Sequence, residues 1–70
     1  MGAKVRWERR AQALTQEDLA KRAGVSVATL TRIEQGQVEP HVSTLRRLAD
    51  ALGVEPRDLM EDRPRVPAGR

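Results

Sequence analysis

Residues Thr15 to Gly36 read TQEDLAKRAGVSVATLTRIEQG, and their spacing is that of two short helices folded against each other by a glycine turn. Leu19, Ala20 and Ala23 fall at i, i+1 and i+4, one stripe of a helix of about two turns, while Leu30 and Ile33 stand three apart on a second helix. Thr15 followed three places later by Asp18 has the form of a capping box, so the first of these helices begins near Gln16. Gly24 sits where that helix must stop, because only glycine enters the left-handed conformation there without a Cβ penalty, and Val25 can pack back on the last turn. Ser26 caps the helix that follows. The link from Gly24 to Ser26 is too short for the helices to lie side by side, so they must cross steeply, with Ala20 small enough to let them meet.

On apolar spacing alone, an ordinary helical hairpin with both stripes in the core fits equally well. The wider pattern is more specific. Gln16, Leu19, Ala20, Ala23, Gly24, Val25, Ser26, Thr29, Leu30, Arg32, Ile33, Glu34 and Gly36 together resemble the helix-turn-helix of the Xre/Cro-type, lambda-repressor-like transcriptional regulators. The resemblance continues through VRWERRAQAL before the motif and PHVSTLRRLADALGV after it, covering roughly Ala3 to Met60. It implies an all-α, compact five-helix domain over residues 1–60 that binds double-stranded DNA. The recognition helix would run from about Val27 to Gln35 and lie in the major groove.

Composition is compatible with this placement without leading to it. At 70 residues the chain fits one small domain, and a core of that size seldom supplies more than about 3–5 kcal/mol. The absence of cysteine excludes a disulfide framework and thiolate metal sites. No apolar run approaches the roughly 18 residues of a membrane span, and the start MGAKVRWERR lacks the apolar segment of a secretory signal. A soluble, cytoplasmic protein is expected. The net charge of +3 suits a polyanionic partner, although 33% charged residues of both signs equally suits a well-solvated small domain.

Around the motif three more helices are expected. The first spans about Lys4 to Ala13, where Val5 and Arg9 define one face and Ala3, Trp7 and Ala11 nearly the opposite one; the resemblance puts Val5 inside. A fourth, about Val42 to Leu52, carries Leu45, Leu48, Ala49 and Leu52 on one stripe and ends at Gly53. Pro56 after Glu55 suggests a short fifth helix holding Leu59 and Met60. Residues 61–70, EDRPRVPAGR, read as a flexible tail.

A major groove accepts one helix, and only residues near its N-terminus and on its outward face reach base edges. By the resemblance, Val27, Ala28, Thr31 and Arg32 hold the base-reading positions, with Ser26 and Thr29 at the DNA end. Arg32 can contact guanine O6 and N7, whereas Val27 and Ala28 offer only apolar contact to thymine methyls. Many relatives carry polar residues at these two positions, so specificity here is expected to be weaker or more dependent on shape. Gln16 resembles the family glutamine that clamps a backbone phosphate at a helix N-terminus. Gln35 and Gln37 are the expected clamps on the other side, and Glu39 in the following loop would repel DNA. His41 can cap the fourth helix, meet a phosphate when protonated, or be a surface histidine without a role.

The resemblance also implies an ion pair between Arg9 and Glu34 that fixes the angle of the reading helix. One histidine, no cysteine and no glycine-rich phosphate loop leave neither an activated nucleophile nor a metal cage, so no enzyme, cofactor or metal is expected. The alternative in another class is a protein-interaction module, an antitoxin or adaptor, with Trp7 as its anchor if that side chain is exposed rather than core. Relatives gain specificity from two copies, so a homodimer on an inverted repeat is expected, with Val54, Leu59 and Met60 at the interface.

Overall fold

The structure is a computed structural model that describes residues 1–60. Residues 61–70, read above as a tail, lie outside the described part. Five helices follow in order, α1 (Gly2–Ala11), α2 (Gln16–Ala23), α3 (Val27–Glu34), α4 (Val42–Leu52) and α5 (Pro56–Leu59). No strand occurs among the described residues, and none of the helices there is long and apolar enough to cross a membrane.

The turn chemistry around α2 is local. Thr15 Oγ1 accepts from the Asp18 N–H at 3.0 Å and Asp18 Oδ2 accepts from the Thr15 N–H at 3.0 Å, which satisfies two donors that the first turn would otherwise leave open. At the other end Gly24 adopts φ +72°, and the Val25 N–H donates to the Ala20 carbonyl at 3.0 Å. Ser26 Oγ then accepts from the Thr29 N–H at 3.0 Å and starts α3.

One core receives the apolar stripes of all five helices. Leu19, Ala20 and Ala23 of α2 meet Leu30 and Ile33 of α3, closed by Leu45, Leu48, Ala49 and Leu52 of α4 and by Val5 of α1. Leu59 of α5 is also fully buried. This corrects its assignment to a dimer interface: burying a leucine contributes about 1.5–3 kcal/mol, and Leu59 spends that surface inside its own chain. Val54 is partly buried against the same core, and Met60 is exposed.

α1 differs from its expected span of Lys4 to Ala13 by about two residues at each end. Its C-terminal end closes without glycine. Ala13 itself takes φ +58° and the Leu14 N–H reaches back to the Arg9 carbonyl at 3.0 Å. Gln12 Nε2 donates to the Leu52 carbonyl at 2.6 Å, tying this turn to the end of α4. At the N-terminal end, Gly2 is buried against the last turn of α3. A Cβ there would lie 2.3 Å from the Ile33 carbonyl oxygen and 2.7 Å from that of Glu34. Only a residue without a side chain lets the two helices approach so closely.

Candidate nucleic-acid interface

α3 divides its side chains sharply. Leu30, Ile33 and Glu34 are buried, while Val27, Ala28, Arg32 and Gln35 are exposed and Thr29 and Thr31 half-buried. The eight residues of the helix therefore present a mixed face with one cation, Arg32, near its C-terminal end. At the other end Ser26 and Thr29 are engaged with each other, since Ser26 Oγ also donates to Thr29 Oγ1 at 2.9 Å.

Behind that face lies a buried polar cluster. The Glu34 side chain is only 1% exposed and accepts from Arg9 Nε at 2.7 Å and Arg9 Nη2 at 3.1 Å, a two-point contact across from α1. Arg6 Nε stands 3.8 Å from the same carboxylate. Arg9 Nη1 donates in addition to the Leu14 carbonyl at 2.8 Å, so one guanidinium holds both α3 and the α1–α2 turn. Charge-assisted contacts of this geometry are the strong ones, and here no buried side-chain polar atom of the described residues lacks a partner.

Gln16, at the first position of α2, belongs to the cluster as well. Its Nε2 donates to Glu34 Oε1 at 3.1 Å and its Oε1 accepts from Thr31 Oγ1 at 3.2 Å. The amide of Gln16, expected from the sequence to clamp a phosphate, spans in the structure from the buried carboxylate to the half-exposed threonine. Gln35 and Gln37 lie together on the surface, with Gln37 Nε2 donating to Gln35 Oε1 at 2.8 Å across the turn at Gly36.

Arg6, Arg9 and Arg10 of α1 line an open groove with Thr15, Gln16 and Val27. Arg6 and Arg10 were not singled out from the sequence, although their i, i+4 spacing places them on one side of α1. Beside them Trp7 is exposed, and Lys4 Nζ lies 4.7 Å from the centre of its ring and 3.4 Å from Glu8 Oε2. His41 is the exposed N-cap residue of α4 and makes no side-chain cap bond. Among the carboxylates, Asp18 is held below its ordinary pKa of 3.8, first by the Thr15 backbone N–H and then by the Thr15 side chain.

A family model described as helix-turn-helix matches residues 5–59, from the buried Val5 of α1 to the buried Leu59 of α5. The chain belongs to this helix-turn-helix family. It is 39% identical over 59 residues to an uncharacterised HTH-type transcriptional regulator of Methanocaldococcus jannaschii, covering 84% of this chain and 89% of that protein. Among solved structures it is similar to the restriction-modification controller protein C.AhdI from Aeromonas hydrophila, with a TM-score of 0.81 and 36% identity over 83% of this chain and 88% of that one. It is also similar to the P22 c2 repressor, solved in complex with a synthetic operator, with a TM-score of 0.79 and 31% identity over the same shares, 83% and 88%. As a helix-turn-helix transcriptional regulator the protein is not an enzyme. In this family member the two helices of the motif are α2 and α3.

Proposed function

We propose that this helix-turn-helix protein regulates transcription by binding double-stranded DNA, with α3 in the major groove and Arg32 reading guanine. The observation that carries the proposal is the division of α3 into a buried face of Leu30, Ile33 and Glu34 and an outward face of Val27, Ala28, Thr31, Arg32 and Gln35. The outward face is polar enough to be solvated in the free protein and presents a planar cation able to pair with guanine O6 and N7. The likeness to the P22 c2 repressor, solved in complex with a synthetic operator, supports DNA binding.

Around the readers, Ser26 and Thr29 stand at the groove edge, and Gln16, Gln35 and Gln37 face the backbone. Gln16 keeps a second amide hydrogen for a phosphate oxygen after serving Glu34. Arg6 and Arg10, lining the groove beside the start of α2, add cations on that flank. One module of this size reads few bases, so two copies on an inverted repeat are the natural arrangement. Met60, 62% exposed, and the partly buried Val54 are the side chains that would join them. The protein would work in the cytoplasm.

Titration of duplex DNA at several salt concentrations tests the proposal. Log affinity will fall linearly with log salt, with a slope of about −0.9 for each ionic phosphate contact. An affinity indifferent to salt would favour the protein-interaction reading, in which the exposed Trp7 rather than α3 meets the partner.

A further inference from the structure

The cluster behind α3 fixes more than the angle of the helix, because it fixes the direction of every hydrogen bond that reaches Thr31. Glu34, gripped at two points by Arg9 and with Arg6 at 3.8 Å, is a carboxylate and can only accept. The Gln16 atom 3.1 Å from its Oε1 must therefore be the amide nitrogen. That choice turns the Gln16 carbonyl oxygen toward Thr31, 3.2 Å away, and a carbonyl oxygen also only accepts. The single hydroxyl hydrogen of Thr31 is committed to it. Val27, which lines the same groove as Gln16, has no polar side-chain atom with which to compete for that oxygen.

We infer that Thr31 is a specificity-determining residue that meets DNA as a hydrogen-bond acceptor only, and that it selects a base carrying an exocyclic amine, adenine or cytosine, on the strand it faces. The inference rests on the DNA-reading role of α3 proposed above. In the major groove only adenine N6 and cytosine N4 donate; guanine O6 and N7 and thymine O4 would set lone pairs against those of Thr31 Oγ1. The run from Thr31 through Gln16 to Glu34 is a chain of aligned donors ending on an anion, and such a chain strengthens each member. It leaves Thr31 Oγ1 a better acceptor than a free hydroxyl. An isolated threonine discriminates little, because its hydroxyl rotates to donate or accept as the base demands. Here Glu34, which touches no base, removes that freedom.

The test is in-vitro selection from a random duplex pool with the wild-type protein, Thr31→Val and Gln16→Met, followed by base analogues that lack only the amine. Wild type will select one base pair in one orientation at one position of each half-site, and Thr31→Val will lose preference at that position alone. Gln16→Met returns the hydroxyl hydrogen to Thr31 and will admit the inverted base pair there. Replacing adenine by purine, or cytosine by 2-pyrimidinone, at that position will weaken wild-type binding about fivefold to tenfold and leave Thr31→Val binding unchanged. The analogue experiment with wild-type protein needs no folded variant. The inference is overturned if Thr31→Val erases no position, or if loss of the amine from the base pair at the erased position costs wild type nothing. Those results leave α3 as the reading helix. Failure of the pool to enrich any sequence would instead overturn the sequence-specific reading of α3, and the role of Thr31 with it.

Discussion

Arg9 of α1 and Glu34 of α3, twenty-five residues apart in the chain, meet through Arg9 Nε and Nη2 at 2.7 and 3.1 Å from the two carboxylate oxygens. Both residues are buried. The pair therefore sets where the last turn of the exposed helix stands relative to α1, and its geometry costs little entropy because the guanidinium is also held by the Leu14 carbonyl. A buried pair of this kind need not add net stability, but removing one partner strands the other in the interior.

Glu34→Gln and Arg9→Met will each lower the thermal midpoint steeply, by the equivalent of up to about 3–5 kcal/mol. The double variant will lose less than the sum. A double-mutant cycle by denaturant unfolding will return a coupling of about 0.5–3 kcal/mol. Additive losses would mean that the two side chains do not act as a unit.

Gly2→Ala sets two effects of opposite sign against each other. Alanine is favoured over glycine inside a helix by up to about 1 kcal/mol, but a Cβ at Gly2 would stand 2.3 Å from the backbone oxygen of Ile33. Backbone cannot yield as a flexible side chain does, and overpacking of this sort costs about 1–3 kcal/mol. The variant will melt below wild type, and amide shifts in NMR spectra will concentrate in the last turn of α3. A variant as stable as wild type would show that α1 and α3 do not approach as described.

Acid sensitivity has an identifiable part at the α2 N-cap. The Thr15 backbone N–H bonds to the charged form of Asp18 and lowers its pKa in the folded chain from 3.8. Its contribution is complete above the unfolded value and is lost as pH falls through the lower, folded one. Thermal melts from pH 6 downward will thus show a shallower decline for Asp18→Asn than for wild type, confined to the region below about pH 4. Because Asp18 is fully exposed, the difference will be small; identical curves would remove the cap from the account.

Much of this fold is legible in the sequence because its boundaries are set locally. Thr15, Asp18, Gly24 and Ser26 act on neighbours within a few residues, and α2 begins and ends, and α3 begins, where those signs place them. The limits of α1 are not legible in the same way, since Ala13 takes a left-handed conformation that the sequence leaves to no glycine. Gly2 reads as a flexible residue near a chain end, and only the approach of α3 makes it a packing element. Likewise the apolar character of Leu59 is visible, but whether it faces its own core or a second copy depends on how α5 docks. Gln16 stands out by position, whereas the direction of its amide follows from Glu34, eighteen residues away.

Association is tested at Met60, because Leu59 is core and its replacement would unfold the chain. Met60→Glu will shift the protein toward monomer in sedimentation and will weaken binding to a two-half-site duplex far more than to a single half-site. A wild type that sediments as monomer at high concentration and binds half-sites independently would rule out the dimer and leave DNA binding by α3 intact.

The most direct measurement is the affinity of wild type and Arg32→Ala for a selected duplex and for a scrambled one, at the same salt. A residue reading a guanine edge contributes to the matched site alone. Arg32→Ala will lose about 1–3 kcal/mol, roughly 5- to 150-fold, on the selected duplex and little on the scrambled one, so the specificity ratio collapses toward that of backbone binding. Equal losses on both duplexes would show that Arg32 only holds phosphate and would contradict α3 as the helix that reads sequence.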